Sequence, residues 1–124
     1  LKIKFRGKRI DNGEWVFGYY YQHPNPLTED GEPIRHCITM CPPFAYEVDP
    51  STVSQFTGLK DKNGVDIYEG DVVVFEECKT AYECRWNKHR SEFAWYSDEN
   101  YIYSIGDMRQ YLTIIGNKWE NKND

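Results

Sequence analysis

With 124 residues the chain has room for one compact domain or two very small subdomains sharing an interface, and for nothing larger. Aromatic residues make up 16% of it, ten of them Tyr and four Trp, and these side chains favour pleated, half-buried surfaces, so a mainly β fold is expected. The formal net charge of −5 disfavours generic binding to a phosphate backbone, and no run approaches the roughly 18 apolar residues that cross a bilayer, so a soluble protein without membrane partners is expected.

Positive charge is concentrated only at the start, in Lys2, Lys4, Arg6, Lys8 and Arg9. Its alternation with Ile3 and Phe5 is that of a strand with one solvated face, and a nucleic-acid-binding arm is the less favoured reading. Residues 2 to 10 and 14 to 22 alternate around Asp11-Asn12-Gly13, which predicts a first hairpin. His23 to Ile34 holds three prolines and three acids and cannot keep a sheet register, so an exposed loop is predicted there.

Arg35 to Cys41 has period-two apolar character and predicts a third strand, stopped at Pro42-Pro43 and continued by Phe44 to Val48. Asp49 before Pro50 suits the cap of a single helical turn over residues 49 to 56, a segment placed between two subdomains, 1–56 and 57–124. Asp61-Lys62-Asn63-Gly64 supplies turn chemistry, and Val72 to Phe75 reads as a buried strand. Tyr82 to Trp86 and Glu92 to Tyr96 flank Asn87 to Ser91, a second hairpin with Trp86 and Trp95 on facing arms. Ile105, Met108 and Leu112 have helical spacing, Leu112 to Gly116 returns to β character, and Glu120 to Asp124 is a polar tail expected to fray.

Four cysteines in a chain rich in core aromatics need no disulfide framework, and with no Asn-x-Ser/Thr sequon a reducing cytoplasm is expected. Cys37, Cys41, Cys78, Cys84 and His36 could in principle ligate a metal. The first two share a strand and the other two are five residues apart, against the tight pairs of structural zinc sites, so no metal is assigned. Asp61-x-Asn63-Gly64-x-Asp66 has oxygen ligands at alternate positions, but a calcium loop starting at Asp61 needs Gly and Glu where Asp66 and Val72 stand. A solvated turn is the expectation.

Nothing frames a Ser or Cys nucleophile, and the carboxylate pairs Glu76-Glu77 and Glu69/Asp71 suit a solvated strand edge. No catalytic residue, no cofactor and no enzyme activity are therefore expected. The candidate binding cluster is Arg85, Trp86, Lys88 and Arg90, where rings interleave with cations as in single-strand binders, although Trp86 is also placed to pack across the second hairpin.

Thr57 to Gly64 followed by Ile67-Tyr68-Glu69-Gly70-Asp71-Val72-Val73 resembles the signature of the YopX family of phage and prophage proteins. Ile3 to Arg6, Gly13-x-Trp15-Val16-x-Gly18-Tyr19, Val48-x-Pro50-x-Thr52-Val53-x-Gln55-Phe56 and Ile114 to Asn117 with Glu120-Asn121 are similar to that family in the same order. The resemblance implies a C-terminal SH3-like β-barrel beside a small N-terminal β-rich subdomain. It implies no catalytic residue, cofactor or substrate. A non-enzymatic interaction or regulatory protein of phage origin follows as the leading expectation, with a host or phage protein as partner, or a second copy joined through sheet edges or aromatic patches. A nucleic-acid-binding module built on the barrel is the alternative.

Overall fold

The computed structural model describes residues 4–23, 35–41, 43–75 and 80–121, and these are mainly β, in two antiparallel sheets. The proline-rich loop expected after His23, the Glu76-Glu77 pair and Cys78 lie outside the described residues. Two compact units divide at Gln55 and Phe56.

In the N-terminal unit β1 (Phe5–Lys8) and β2 (Trp15–His23) form the expected hairpin, with Phe5 opposite Gly18 and Lys8 opposite Trp15. Gly13, at φ +74°, closes the turn by donating to the Arg9 carbonyl at 3.0 Å, and Asn12 Oδ1 accepts from the Glu14 amide at 2.9 Å. β3 (Arg35–Cys41) lies on β2 with Thr39 opposite Tyr19. Phe44 to Glu47 does not continue β3 as the sequence suggests. It reverses as β4 (Phe44–Glu47), with Phe44 opposite Cys41 and Tyr46 opposite Ile38. A prolyl nitrogen has no hydrogen for the ladder, so the chain turns through Pro43, and the Thr39 hydroxyl donates to the Phe44 carbonyl to hold the reversal.

Inside this unit Ile38 and Val48 are fully buried against β1. A Cβ at position 7 would stand 3.1 Å from both of them, so glycine lets the strand lie directly on the core. The ladder curls until Arg9 bridges Val48, with Ile10 donating to the Glu47 carbonyl at 3.1 Å and Asp49 to the Lys8 carbonyl at 2.8 Å. Asp49 caps the helical turn as expected, accepting from the Ser51 amide at 3.0 Å and the Ser51 hydroxyl at 2.8 Å. Those bonds hold its carboxyl below the ordinary range. The turn is shorter than the sequence suggests, covering only Pro50–Thr52, because Val53 is already extended and Ser54 opens β5 (Ser54–Lys60).

In the C-terminal unit the rest of β5 pairs with β6 (Asp66–Tyr68), and a separate ladder runs through the remaining strands. β7 (Asp71–Phe75), β8 (Ala81–Asn87), β9 (Glu92–Ser97) and β10 (Asn100–Ser104) follow one another as an antiparallel meander. A helical turn, α1 (Ile105–Met108), continues as a tighter turn over Arg109–Tyr111. β11 (Leu112–Asn117) then returns to β7, and β12 (Glu120–Asn121) pairs with its end. The order β10-β9-β8-β7-β11-β12 leaves an edge at each end, and the described strands do not close into a barrel. Residues 120 and 121 are thus paired, where the sequence suggests a frayed tail, because Asn117 Oδ1 accepts from the Trp119 and Glu120 amides at 2.9 Å and folds the chain back.

Ile67, Val73, Cys84, Trp95, Ile105 and Leu112 form the core of this unit. The spacing of Ile105 and Leu112 thus brings both into the core across the helical turn. Gly70 sits at φ +91° between β6 and β7, its amide donating to Cys84 and its carbonyl accepting from Lys118, both at 2.8 Å. A Cβ there would meet the Trp119 ring at 2.7 Å.

Two glycines therefore separate backbone strain from crowding. Gly64, at φ +81° with open space around it, should cost about 1 kcal/mol on replacement by alanine, through conformation alone. Gly70→Ala adds a collision with a rigid indole and should cost about 3 kcal/mol. Urea unfolding of the two variants should rank them in that order, and equal losses would show that the Trp119 contact carries no weight.

Candidate functional site

Between Gly58 and Phe75 the aspartates are the residues with chemical potential, and the backbone has taken up the buried ones. Asp61, 5% exposed, accepts through Oδ1 from the Asn63 and Val65 amides at 2.8 and 3.0 Å and through Oδ2 from the Ile114 amide at 3.1 Å. The turn is tied to β11, where the sequence suggests a merely solvated loop. Asp71 Oδ2 accepts from the Tyr68 amide at 2.8 Å, and Asp66 pairs at the surface with Lys60 at 2.8 Å. Among the described residues no three His, Cys, Asp or Glu side chains converge as a metal site.

None of the three described cysteines is in a disulfide. Cys37 and Cys84 are buried and Cys41 is exposed. Desolvation pushes the Cys37 thiol above its usual range. His36, on the opposite face of β3 from Cys37, bonds Tyr20 through Nδ1 at 2.6 Å and stacks on its ring.

Arg85, Trp86, Lys88 and Arg90 lie at the β8–β9 hairpin, whose turn is held by Asn87 Oδ1 accepting from the His89 and Arg90 amides at 3.0 and 3.3 Å. Both arginines are engaged by acids and rings. Arg85 bonds Glu83 at 3.0 Å, approaches Glu99 at 3.6 Å and lies 5.3 Å from the Tyr96 ring centre, and the Glu83 bond raises its pKa. Arg90 lies 3.4 Å from Glu92 and 5.3 Å from the Tyr101 ring centre. Trp86 does not face Trp95. It stands opposite Phe93, edge to face at 5.0 Å, while Trp95 is opposite Cys84 and buried. Lys88 is exposed in the turn.

A second surface, which the sequence leaves unassigned, lies on the outer face of the N-terminal ladder. Trp15, Phe17, Tyr19 and Tyr21 alternate along β2 and so share one face. Phe17, Tyr19 and Tyr21 are 41%, 65% and 40% exposed. On one side the register sets Arg6 opposite Phe17 and Lys8 opposite Trp15. On the other it sets Thr39 opposite Tyr19, Cys37 opposite Tyr21 and Arg35 opposite His23, with Phe44 next to Cys41. The Arg6 guanidinium lies 4.9 Å and the Lys8 ammonium 6.0 Å from the Trp15 ring centre, and Arg6 Nε donates to Ser54 Oγ at 3.0 Å. In Trp15-Val-Phe-Gly-Tyr-Tyr-Tyr both alternate sets are apolar, so the period alone does not say which one faces water.

Two measurements test these assignments. Asp61→Ala strands three amides and should lower folding stability by about 3 kcal/mol or more, with Asp61→Asn falling between it and the parent in denaturant titration. At neutral pH, thiol labelling followed by peptide mapping should modify Cys41 first and reach Cys37 and Cys84 only as the protein unfolds. Rapid labelling of Cys37 would contradict its burial.

A family model described as YopX protein matches residues 4–123. Among solved structures the chain is similar to the crystal structure of protein EF1440 from Enterococcus faecalis, at 22% identity over 99% of this chain and 96% of that one, with a TM-score of 0.56. That likeness is one of fold. No curated protein matches. With the signature turn, the capped Asp49–Pro50 segment and the closing strand all inside the matched span, the chain belongs to the YopX family.

Proposed function

We propose that this is a non-catalytic interaction or regulatory protein of phage or prophage origin, acting in the bacterial cytoplasm, and that its partner docks on the outer face of β2. The carrying observation is the row of exposed rings at Phe17, Tyr19 and Tyr21. Single exposed aromatics are ordinary on a protein surface, but a contiguous apolar patch marks an interaction site. The buried carboxylates point the same way, since Asp61 is engaged by three backbone amides and Asp71 accepts from the Tyr68 amide.

For the C-terminal unit an SH3-like plan is the reading we favour. Its support is a meander, β7 to β9, followed by a helical turn and a strand that returns to β7. In this reading the unit is mainly a scaffold, because Arg85 and Arg90 already face carboxylates at the hairpin where a ligand would meet them.

The double variant Phe17→Thr/Tyr19→Thr keeps strand-forming residues and tests the docking face. Affinity capture from an infected or lysogenic host with the parent and the variant, both shown to be folded by circular dichroism, should yield components that only the parent retains. Identical sets from the two proteins would overturn the assignment of the face.

A further inference from the structure

We infer that the partner bound by the outer face of β2 is single-stranded nucleic acid, an inference that rests on the docking face proposed above. Chemistry and charge on the face both favour it.

Side chains two apart on a strand stand about 7 Å apart on the same side, so Phe17, Tyr19 and Tyr21 form a row of flat rings. Unstacked bases of an extended strand lie on such rings, each base presenting its π face whatever its identity. A duplex keeps its bases stacked and offers a groove, which a row of rings on a sheet does not enter. The stacking residues therefore select a single strand.

The backbone of that strand needs cations, and the charge of this face is opposite to that of the whole chain. Arg6, Lys8 and Arg35 occupy its register positions on β1 and β3, against the one carboxylate of Glu47, opposite Cys37, among the described residues of β1 to β4. Arg6 and Lys8 are held in place over the Trp15 ring, with Arg6 fixed further by Ser54. Cations beside stacking rings are the arrangement that tracks phosphates past a base platform. The same charges disfavour a second copy on this face. In a two-fold interface the patch meets itself, and the cations of one copy would approach those of the other.

Fluorescence anisotropy with short labelled oligothymidylate and oligouridylate, read across a salt series, tests the inference. The parent should bind at low salt and weaken steadily as salt rises. Tyr19→Thr and Phe17→Thr should each weaken binding by roughly tenfold, Lys8→Glu should weaken it and flatten the salt dependence, and Trp86→Thr should leave it unchanged. A duplex of matched length should bind less tightly than the single strand. Absence of binding at low salt by folded protein would overturn the inference, as would binding indifferent to Tyr19 and Phe17 or binding lost in Trp86→Thr. A dimer by analytical ultracentrifugation that Tyr19→Thr dissociates, together with no oligonucleotide binding, would assign the face to a second copy and also overturn it. If oligonucleotides fail while capture from the host still depends on Phe17 and Tyr19, the nucleic-acid assignment falls and the docking face stands. If both readouts ignore the two residues, both fall.

Discussion

One carboxylate organises the C-terminal unit. Asp61 accepts two amides of its own turn and the amide of Ile114, a residue on β11 that lies 53 positions further along the chain. The third bond is needed because the β7–β11 ladder shifts register between Ile114 and Gly116, and at such a shift a backbone amide loses its regular partner. Lys62 adds a second tie by donating to the Leu112 carbonyl at 3.2 Å. Together these bonds fix where β11 lies on β7, and with it which residues of the returning strand enter the core. Leu112 does, beside Val73 and Ile67.

The remaining positions of the signature serve the same joint. Gly70 brings the backbone under the Trp119 ring, and its carbonyl receives the Lys118 amide, so the turn after β11 is docked on the turn before β7. Asp71 takes the Tyr68 amide across that turn. Two buried aspartates and a left-handed glycine thus hold one strand junction. Their spacing in sequence reflects which amides need an acceptor.

Local chemistry was legible in the sequence wherever one element specifies it. The Asp11-Asn12-Gly13 hairpin, the Asp49–Pro50 cap, the third strand at Arg35–Cys41 and the second hairpin all follow from turn residues and period-two patterning. Features that depend on distant residues were not legible. Phe44 to Glu47 looks like more of β3 until its pairing with Cys41 and Ile38 is known. Asn100 to Ser104 carries few aliphatic residues and becomes a strand through its ladder with β9. The link from Asp61 to Ile114 leaves no local trace, and neither does the contact of Trp119 with Gly70. In the β2 segment two apolar sets alternate, and only the burial of Ile38 and Val48 beneath β1 settles that Val16, Gly18 and Tyr20 turn inward.

Both cationic clusters were visible as runs of letters, and spacing on the strand separates them. Arg85 has Glu83 two residues before it and Arg90 has Glu92 two residues after it, so the pleat sets each cation beside an acid on its own face. Arg6 and Lys8 have no acid two residues away, and their neighbours across the strand are Phe17 and Trp15. The cluster richer in cations along the sequence is therefore offset by carboxylates, while the sparser one keeps its charge beside exposed rings. A net charge of −5 averages over both and describes neither. On a β protein the electrostatic unit a ligand meets is one face of one ladder, and its sign follows from the residues at every second position and from the register that sets them side by side.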